Sequence, residues 1–259
     1  MRTCLSAGFA VACLLGLAGC SFNPKPFPAE WHAPTLPPIE PLNRQVFWLN
    51  NELDVHALEP MARGWDWMVP DPVERGFNNF FDNLRFPIVI VNDVLQGQPR
   101  WAAETIARFQ CNTLLGGLGF YDLASDLGVP PHPQDTGLTL GRWGIPPGPF
   151  IVLPLFGPSN VRDTFGFVGD LGLAIYPWFV TIPGVTTALS AVDVVNRRAG
   201  YLDEVEQARA ASIDYYSFAR HAFIQRREAL VRGDALPSTE QQDELYDTEI
   251  YEDYIEEGN

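Results

Sequence analysis

Lysine is nearly missing from this 259-residue chain: Lys25 is the only one, so the other sixteen basic residues are arginines. Arginine's planar fork suits buried ion pairs and phosphate groups better than a lysine point charge does. Positive charge is scarce altogether, with 17 basic residues against 32 acidic ones and a formal net charge of -15. That excludes nucleic acid as an expected partner, because a phosphate-binding surface needs a basic face. The four histidines (His32, His56, His132 and His221) are scattered, and none has a second His or Cys at metal-ligand spacing. Gly157-Pro158-Ser159-Asn160-Val161 lacks the closing glycine of a nucleophile elbow. Gly117-Leu118-Gly119-Phe120-Tyr121-Asp122 lacks the third glycine of a dinucleotide loop and a strand before it. No metal, no cofactor and no enzymatic activity are therefore expected. Sustained strand alternation and 20–50-residue repeats are absent too. What remains is 46% hydrophobic and 12% aromatic, an ordinary composition for one large domain or two small ones. With 22 glycines and 23 prolines, its elements should be short and often interrupted.

The first twenty residues set the address. A charged start (Met1-Arg2-Thr3), an apolar run from Cys4 to Leu17 and a small-residue exit form a secretory signal, too short to remain as a membrane span. The exit, Leu17-Ala18-Gly19-Cys20, resembles the bacterial lipobox, which implies that residues 1–19 are removed and that Cys20 is lipidated. Ser21 rather than Asp follows, which in that class implies sorting to the outer membrane. Cys4 and Cys13 leave with the signal and Cys20 carries lipid, so Cys111 has no partner in an oxidising compartment. Spaced with Ala103, Ile106, Ala107 and Leu114, it reads as a buried core thiol on the apolar face of a helix, with a nucleophile as the alternative.

Residues 20–40 form a proline-rich lipidated spacer, stiff and extended, followed by a folded domain over 41–233. Residues 234–259 hold ten Asp or Glu and no Lys or Arg, a tail that reads as disordered or weakly helical. Within the domain the signals are mainly α-helical. Asp71-Pro72-Val73-Glu74 reads as a capped helix start, with Asp71 as cap and Glu74 reaching back. Pro99 opens a helix through Cys111 toward Gly116, and Ser159 can cap another that puts Val161, Phe165 and Val168 on one face. Ile213 to Val231 carries the clearest 3.6-residue period and ends at Gly233. Pro130 to Pro158 should be irregular, with Ile151-Val152-Leu153 as a short strand. Leu171 to Val192 runs 22 residues without a charge, the length of a span, but Pro177, Pro183 and Gly184 break it. Such broken segments, this one and Phe150 to Phe156, fit a protein lying within one leaflet better than one crossing it; the alternative is a soluble core. Phe150, Leu153, Trp178 and Phe179 are the membrane-contacting candidates.

A set of short motifs runs through 40–233 in order: Pro41-Leu42-Asn43-Arg44, Val69-Pro70-x-Pro72, Gly76-Phe77-x-Asn79-Phe80, Asn83-Leu84, Val91-Asn92, Leu95-Gln96-Gly97, Arg108-Phe109, Asn112-Thr113, Gly116-x-x-Gly119-Phe120-x-Asp122, Gly141-x-x-Gly144, Gly157-Pro158-Ser159, Arg162-Asp163, Tyr176-Pro177 and Tyr215-x-x-x-x-Arg220. Together they resemble the MlaA (VacJ) family of outer-membrane lipoproteins. The resemblance implies a ring of helices in the inner leaflet of the outer membrane around a polar channel, with no transmembrane β-barrel. It also implies a function: removal of mislocalised phospholipids from the outer leaflet and their transfer to a periplasmic lipid-carrier protein, with trimeric outer-membrane porins as partners. Family members can carry a lysine near the channel. This chain has none past Lys25, so Arg197 and Arg198 are the lipid-path candidates. The rival readings are a non-transporting envelope scaffold and a lipid hydrolase. One acyl chain binds a membrane only marginally, while two or more hold stably. Cys20→Ala is therefore expected to leave the protein unprocessed or misplaced on membrane fractionation; maturation and unchanged outer-membrane fractionation would overturn the lipobox assignment.

Overall fold

Proline placement explains where the first helices begin. The computed structural model describes residues 39–174 and 184–233. The leader, Cys20, most of the spacer, Tyr176 to Phe179 and the acidic tail lie outside them. α1 (Glu40–Leu53), α2 (Glu59–Met68), α3 (Asp71–Leu84), α4 (Phe86–Leu95) and α5 (Pro99–Leu114) each carry proline in their first two positions. There the missing N–H removes no hydrogen bond and the fixed φ suits the turn. α1 and α2 are joined by a π turn, Asp54–Leu58, in which the Glu59 N–H reaches back to the Asp54 carbonyl. Pro60, next in the chain, cannot donate to residue 56 and its ring crowds that carbonyl, so the helix absorbs one extra residue just ahead of it.

Side-chain caps supply other starts. Asp122, Asp135 and Asn160 accept from the backbone N–H three residues on and open α6 (Leu123–Asp126), α7 (Thr136–Arg142) and α8 (Val161–Leu173). Two expected caps are corrected. Extended Pro70, not Asp71, precedes α3, and Glu74 turns its side chain toward Gly200 instead of back to a cap. Asn160, not Ser159, caps α8. The stretch expected to be irregular contains α7, because Asp135 caps it and tertiary packing holds it. The expected strand is present: β1 (Phe150–Leu153) pairs antiparallel with β2 (Gly157–Asn160). α9 (Val185–Ala199), α10 (Leu202–Ala211) and α11 (Tyr215–Arg232) follow, and Gly233 ends the last at φ 82°.

The architecture is mainly α, as expected. α4 pairs with α5, α7 with α8, and α9 lies across α2 and α3, while α11 backs α7 and the hairpin packs on α1. Two asparagines one heptad apart fasten the hairpin to α1. Asn43 donates to the Phe150 carbonyl (2.9 Å) and accepts from the Val152 N–H (3.0 Å); Asn50 does the same at Leu153 (2.9 Å) and Leu155 (2.8 Å). α1 thereby supplies side-chain amides where a third strand would supply backbone.

Polarity is turned inside out relative to a water-soluble helical domain. Asn43, Asn92, Asp93, Gln96, Thr105, Asn112, Thr139, Arg142, Arg162 and Asn196 are all buried, and among the described residues the apolar core is three small clusters around Phe150, Ala62 and Leu138. Large apolar side chains stand outside, among them Trp67 at 85% exposure, Leu114 at 78% and Phe165 at 69%. Buried polar groups beside a broad exposed apolar surface are the informative departure, since scattered surface leucines are normal. On α8 the expected Val161, Phe165 and Val168 face exists and points outward, while Arg162 and Gly166 point in. On α5, Ile106 and Leu114 are exposed and Cys111 is only half-buried, so the core-thiol expectation is corrected: the inward face is Ala102, Thr105 and Asn112. Among the described residues no helix is long and apolar enough to cross a membrane.

α7 and α8 touch backbone to backbone. A Cβ on Gly166 would lie 2.3 Å from the Gly137 nitrogen, whereas one on Gly172 meets nothing within 4 Å. Gly166→Ala is expected to cost about 1–3 kcal/mol or more by overpacking. Gly172→Ala in the same helix should be neutral or stabilising by up to about 1 kcal/mol. Denaturant unfolding in detergent measures both, and equal stabilities would contradict the close approach.

Candidate functional site

Where α3, α4, α5 and α8 converge with the 131–135 loop they leave a cavity of about 690 Å³, within the range that holds small-molecule ligands. Its wall is mixed. Phe86, Ile88, Val89, Phe109, Phe167 and Leu171 give apolar surface, and Phe86 stacks on Phe109 with ring centroids 4.2 Å apart. Between them stand charged and amide side chains, each held by a partner from another element.

Arg108 on α5 donates to both carboxylate oxygens of Asp122 (3.0 and 2.9 Å), and it also donates to Ser125 Oγ (3.1 Å) and the Val129 carbonyl. Asn112, one turn on, donates to Asp122 (2.8 Å) and accepts from the Ala124 N–H. Burial pushes the Asp122 carboxyl up, but Ser125, Arg108 and Asn112 outweigh it and hold it below its usual range. Asp93, with 0% exposure, accepts from Thr105 Oγ1 (2.7 Å) and lies 3.1 Å from His132 Nε2, whose ring packs near Trp101. Gln96 links Gln134 (2.8 Å) and Thr139 (2.7 Å) and accepts from buried Arg142, whose pKa burial lowers against the pull of Asp93 and Asp135. At the α7 end, Arg227 from α11 binds Asp135 (2.6 and 3.0 Å) and reaches Asp163 (2.8 Å), which also takes Arg162 (2.9 Å). Burial opposes the Arg227 charge, yet the two aspartates outweigh it and raise its pKa. Asp170 accepts from the Thr136 N–H (3.0 Å) and Oγ1 (2.6 Å); burial and neighbouring Asp135 push its carboxyl up.

The residues singled out from sequence fall elsewhere. Phe150 is 2% exposed and packs inward against Tyr216 and Phe223, so its ring meets no outer surface; that membrane-contact expectation is corrected. Leu153 is half-buried, its carbonyl held by Asn50. Trp178 and Phe179 lie outside the described residues. Arg197 pairs with Asp193 (2.6 Å) and Asp82 (2.7 Å), and Arg198 grips Asp54 (2.9 and 3.1 Å). Neither lines the cavity, whose arginines are Arg85 and Arg108. Ser159 Oγ bonds Thr164 and the Asn160 carbonyl, not His221. The Arg108, Asn112 and Asp122 cluster stood within the recognisable motifs; the roles of Asp93, His132, Asp135 and Asp170 carried no local signal.

A family model described as "MlaA lipoprotein" matches residues 37–230. The chain belongs to the MlaA lipoprotein family. It is 34% identical over 208 residues to the "Intermembrane phospholipid transport system lipoprotein MlaA" of Escherichia coli, covering 78% of this chain and 81% of that one. The Haemophilus influenzae protein of the same name is 32% identical over 203 residues, with 76% and 80% covered. A solved structure, "Structural basis for maintenance of bacterial outer membrane lipid asymmetry", superposes with a TM-score of 0.65 at 33% identity, covering 75% of this chain and 98% of that one. In this member of the MlaA family the cavity wall is formed by α3, α4, α5, α8 and the 131–135 loop, all within the matched span.

The ion pairs make stability depend on acid. Burial raises the Asp135 carboxyl, but Arg227 outweighs it and leaves it below its usual range. A depressed folded-state pKa contributes stability that is present above the unfolded pKa and is lost as pH falls through the folded one. With 32% of the Asp135 side chain open to solvent, Asp135→Asn should cost about 1–2 kcal/mol at neutral pH. The asparagine can still cap α7. Unfolding in detergent should show this gap closing below about pH 4; a gap independent of pH would exclude the ion pair as its cause.

Proposed function

We propose that this protein moves phospholipids between membranes. Lipid-anchored through Cys20 on the periplasmic side of the outer membrane, it lies in the inner leaflet, takes phospholipids that have strayed into the outer leaflet, and passes them to a periplasmic lipid carrier. The observation that carries the reading is the inverted polarity. An apolar exterior suits acyl chains, and a cavity lined by charges and amides suits a headgroup that would otherwise cross hydrocarbon at high cost. The names of the E. coli and H. influenzae relatives support the same cargo. In this reading the protein is a passage and not an enzyme. Trimeric porins are its membrane partners, and the energy for transport comes from downstream components.

The test compares outer-leaflet phospholipid in a deletion strain carrying no gene, the native gene or Phe165→Asp. Deletion is expected to enrich the outer leaflet in phospholipid and the native gene to restore asymmetry. A carboxylate at Phe165, exposed on α8, costs about 2.5–3.5 kcal/mol if it must enter hydrocarbon. Phe165→Asp should therefore fold in detergent but fail to restore asymmetry. Unchanged outer-leaflet lipid on deletion overturns the transport reading in favour of an envelope scaffold. Full complementation by Phe165→Asp overturns the embedding.

A further inference from the structure

The charges that line the cavity do not cancel. Arg108 is spent on Asp122, and Arg85 on Asp193 (3.2 Å) with Asp82 beyond it (3.9 Å). Asp82 itself is held by Arg197 and Asp135 by Arg227. Asp170 is the exception. It lines the cavity, and among the described residues no arginine or histidine lies within ion-pair distance of it. The neighbouring segment 175–183 and the tail 234–259 contain no basic residue that could supply one. Its donors are neutral, the Thr136 N–H and hydroxyl with the Asn92 side chain, and the neighbouring charge that acts on it is another carboxylate, Asp135. A partly buried carboxylate with neutral partners and a like charge near it is costly, and an arriving cation removes the cost. A ligand of net negative charge gains nothing comparable, because both arginines of the wall are already committed.

From this charge balance we infer that the cavity discriminates between phospholipid headgroups, favouring zwitterionic ones that carry a primary ammonium over anionic ones, with Asp170 as the counter-ion of the ammonium. The inference rests on the phospholipid reading of the cavity and adds a specificity residue to it. A primary ammonium offers three donors and a full charge to the carboxylate. The headgroup's own phosphate travels with that cation, so the ligand enters without bringing net charge to a wall that has no arginine to spare.

The test uses the full lipidated protein in nonionic detergent with a phosphatidylethanolamine labelled on an acyl chain, so that its amine is free. Unlabelled phosphatidylethanolamine, N-acetyl phosphatidylethanolamine and phosphatidylglycerol compete it off. The second differs from the first in losing the positive charge of the amine and gaining an acetyl group. Phosphatidylethanolamine is expected to compete about tenfold better than either anionic lipid, the scale of one charge-assisted hydrogen bond. Asp170→Asn removes a half-buried charge while keeping an acceptor for Thr136, and it should bring the three competitors to within about twofold of one another. Asp170→Glu should keep the preference. A native protein that does not distinguish the first two lipids overturns the inference without any variant, as does an Asp170→Asn protein that keeps the native ranking. If the labelled lipid fails to bind the native protein at all, the phospholipid reading of the cavity itself is what fails.

Discussion

A charge withdrawn from water needs a partner, and in this fold several of those partners come from a different helix. Arg227 on α11 joins Asp135 ahead of α7 to Asp163 on α8. Arg198 on α9 and Arg209 on α10 meet at Asp54 and Glu59 on the two sides of the π turn. Arg108 carries α5 to the Asp122 cap of α6. Removing one member of such a group strands the others, so the pairs act as joints more than as independent contributions. With apolar clusters as small as these, hydrophobic burial alone would specify the relative placement of the helices only loosely. A hydrogen-bonded guanidinium–carboxylate fork fixes both distance and orientation. This also gives the near-absence of lysine a structural reading, since the interior uses the fork geometry that a lysine cannot provide.

The same constraint decides what is left for the outside. Once the inward faces of α5 and α8 are given to Thr105, Asn112, Arg162 and Gly166, their apolar residues have only the exterior to occupy. In water that surface would be a liability to aggregation; against acyl chains it is the solvated face. A polar interior and an apolar exterior are thus one choice and not two. A helix face can be turned inward or outward, and on α5 and α8 the polar side chains take the inward side.

Periodicity made helix faces legible and left their direction open. The 3.6-residue pattern located α5, α8 and α11, and Gly233 marked the end of the last, because spacing and terminal glycine are local signals. Placing Cys111 in a core assumes that an apolar face turns inward, and here the inward face of α5 is Ala102, Thr105 and Asn112 instead. The short α7 escaped notice because a stretch rich in proline and glycine argues against helix. What holds it is tertiary: the Asp135 side chain, the Arg227 pair and the contact between Gly137 and Gly166. With no lysine past Lys25, the resemblance points to an arginine for the lipid path, but it cannot say which one. Arg197 and Arg198 are claimed by Asp82, Asp193 and Asp54, two of them more than a hundred residues earlier in the chain. The ordered motifs, by contrast, were legible as a set.

The π turn between α1 and α2 sets a rule for how this chain can change length. Each residue advances an α-helix by about 100°, so the extra residue absorbed at Asp54–Leu58 rotates everything beyond it relative to Asn43 and Asn50. Those two amides must face the hairpin while Ala62 and Trp65, on the far side, face α9 and α10. Deleting one residue from this turn would restore a regular helix and swing one of those two faces away from its partner. Only a compensating insertion between Asn50 and Ala62 would restore both. Relatives that share this architecture should therefore vary in length at the loops and conserve the residue count between Asn43 and Trp65, a phase lock written in the number of residues and not in their identity.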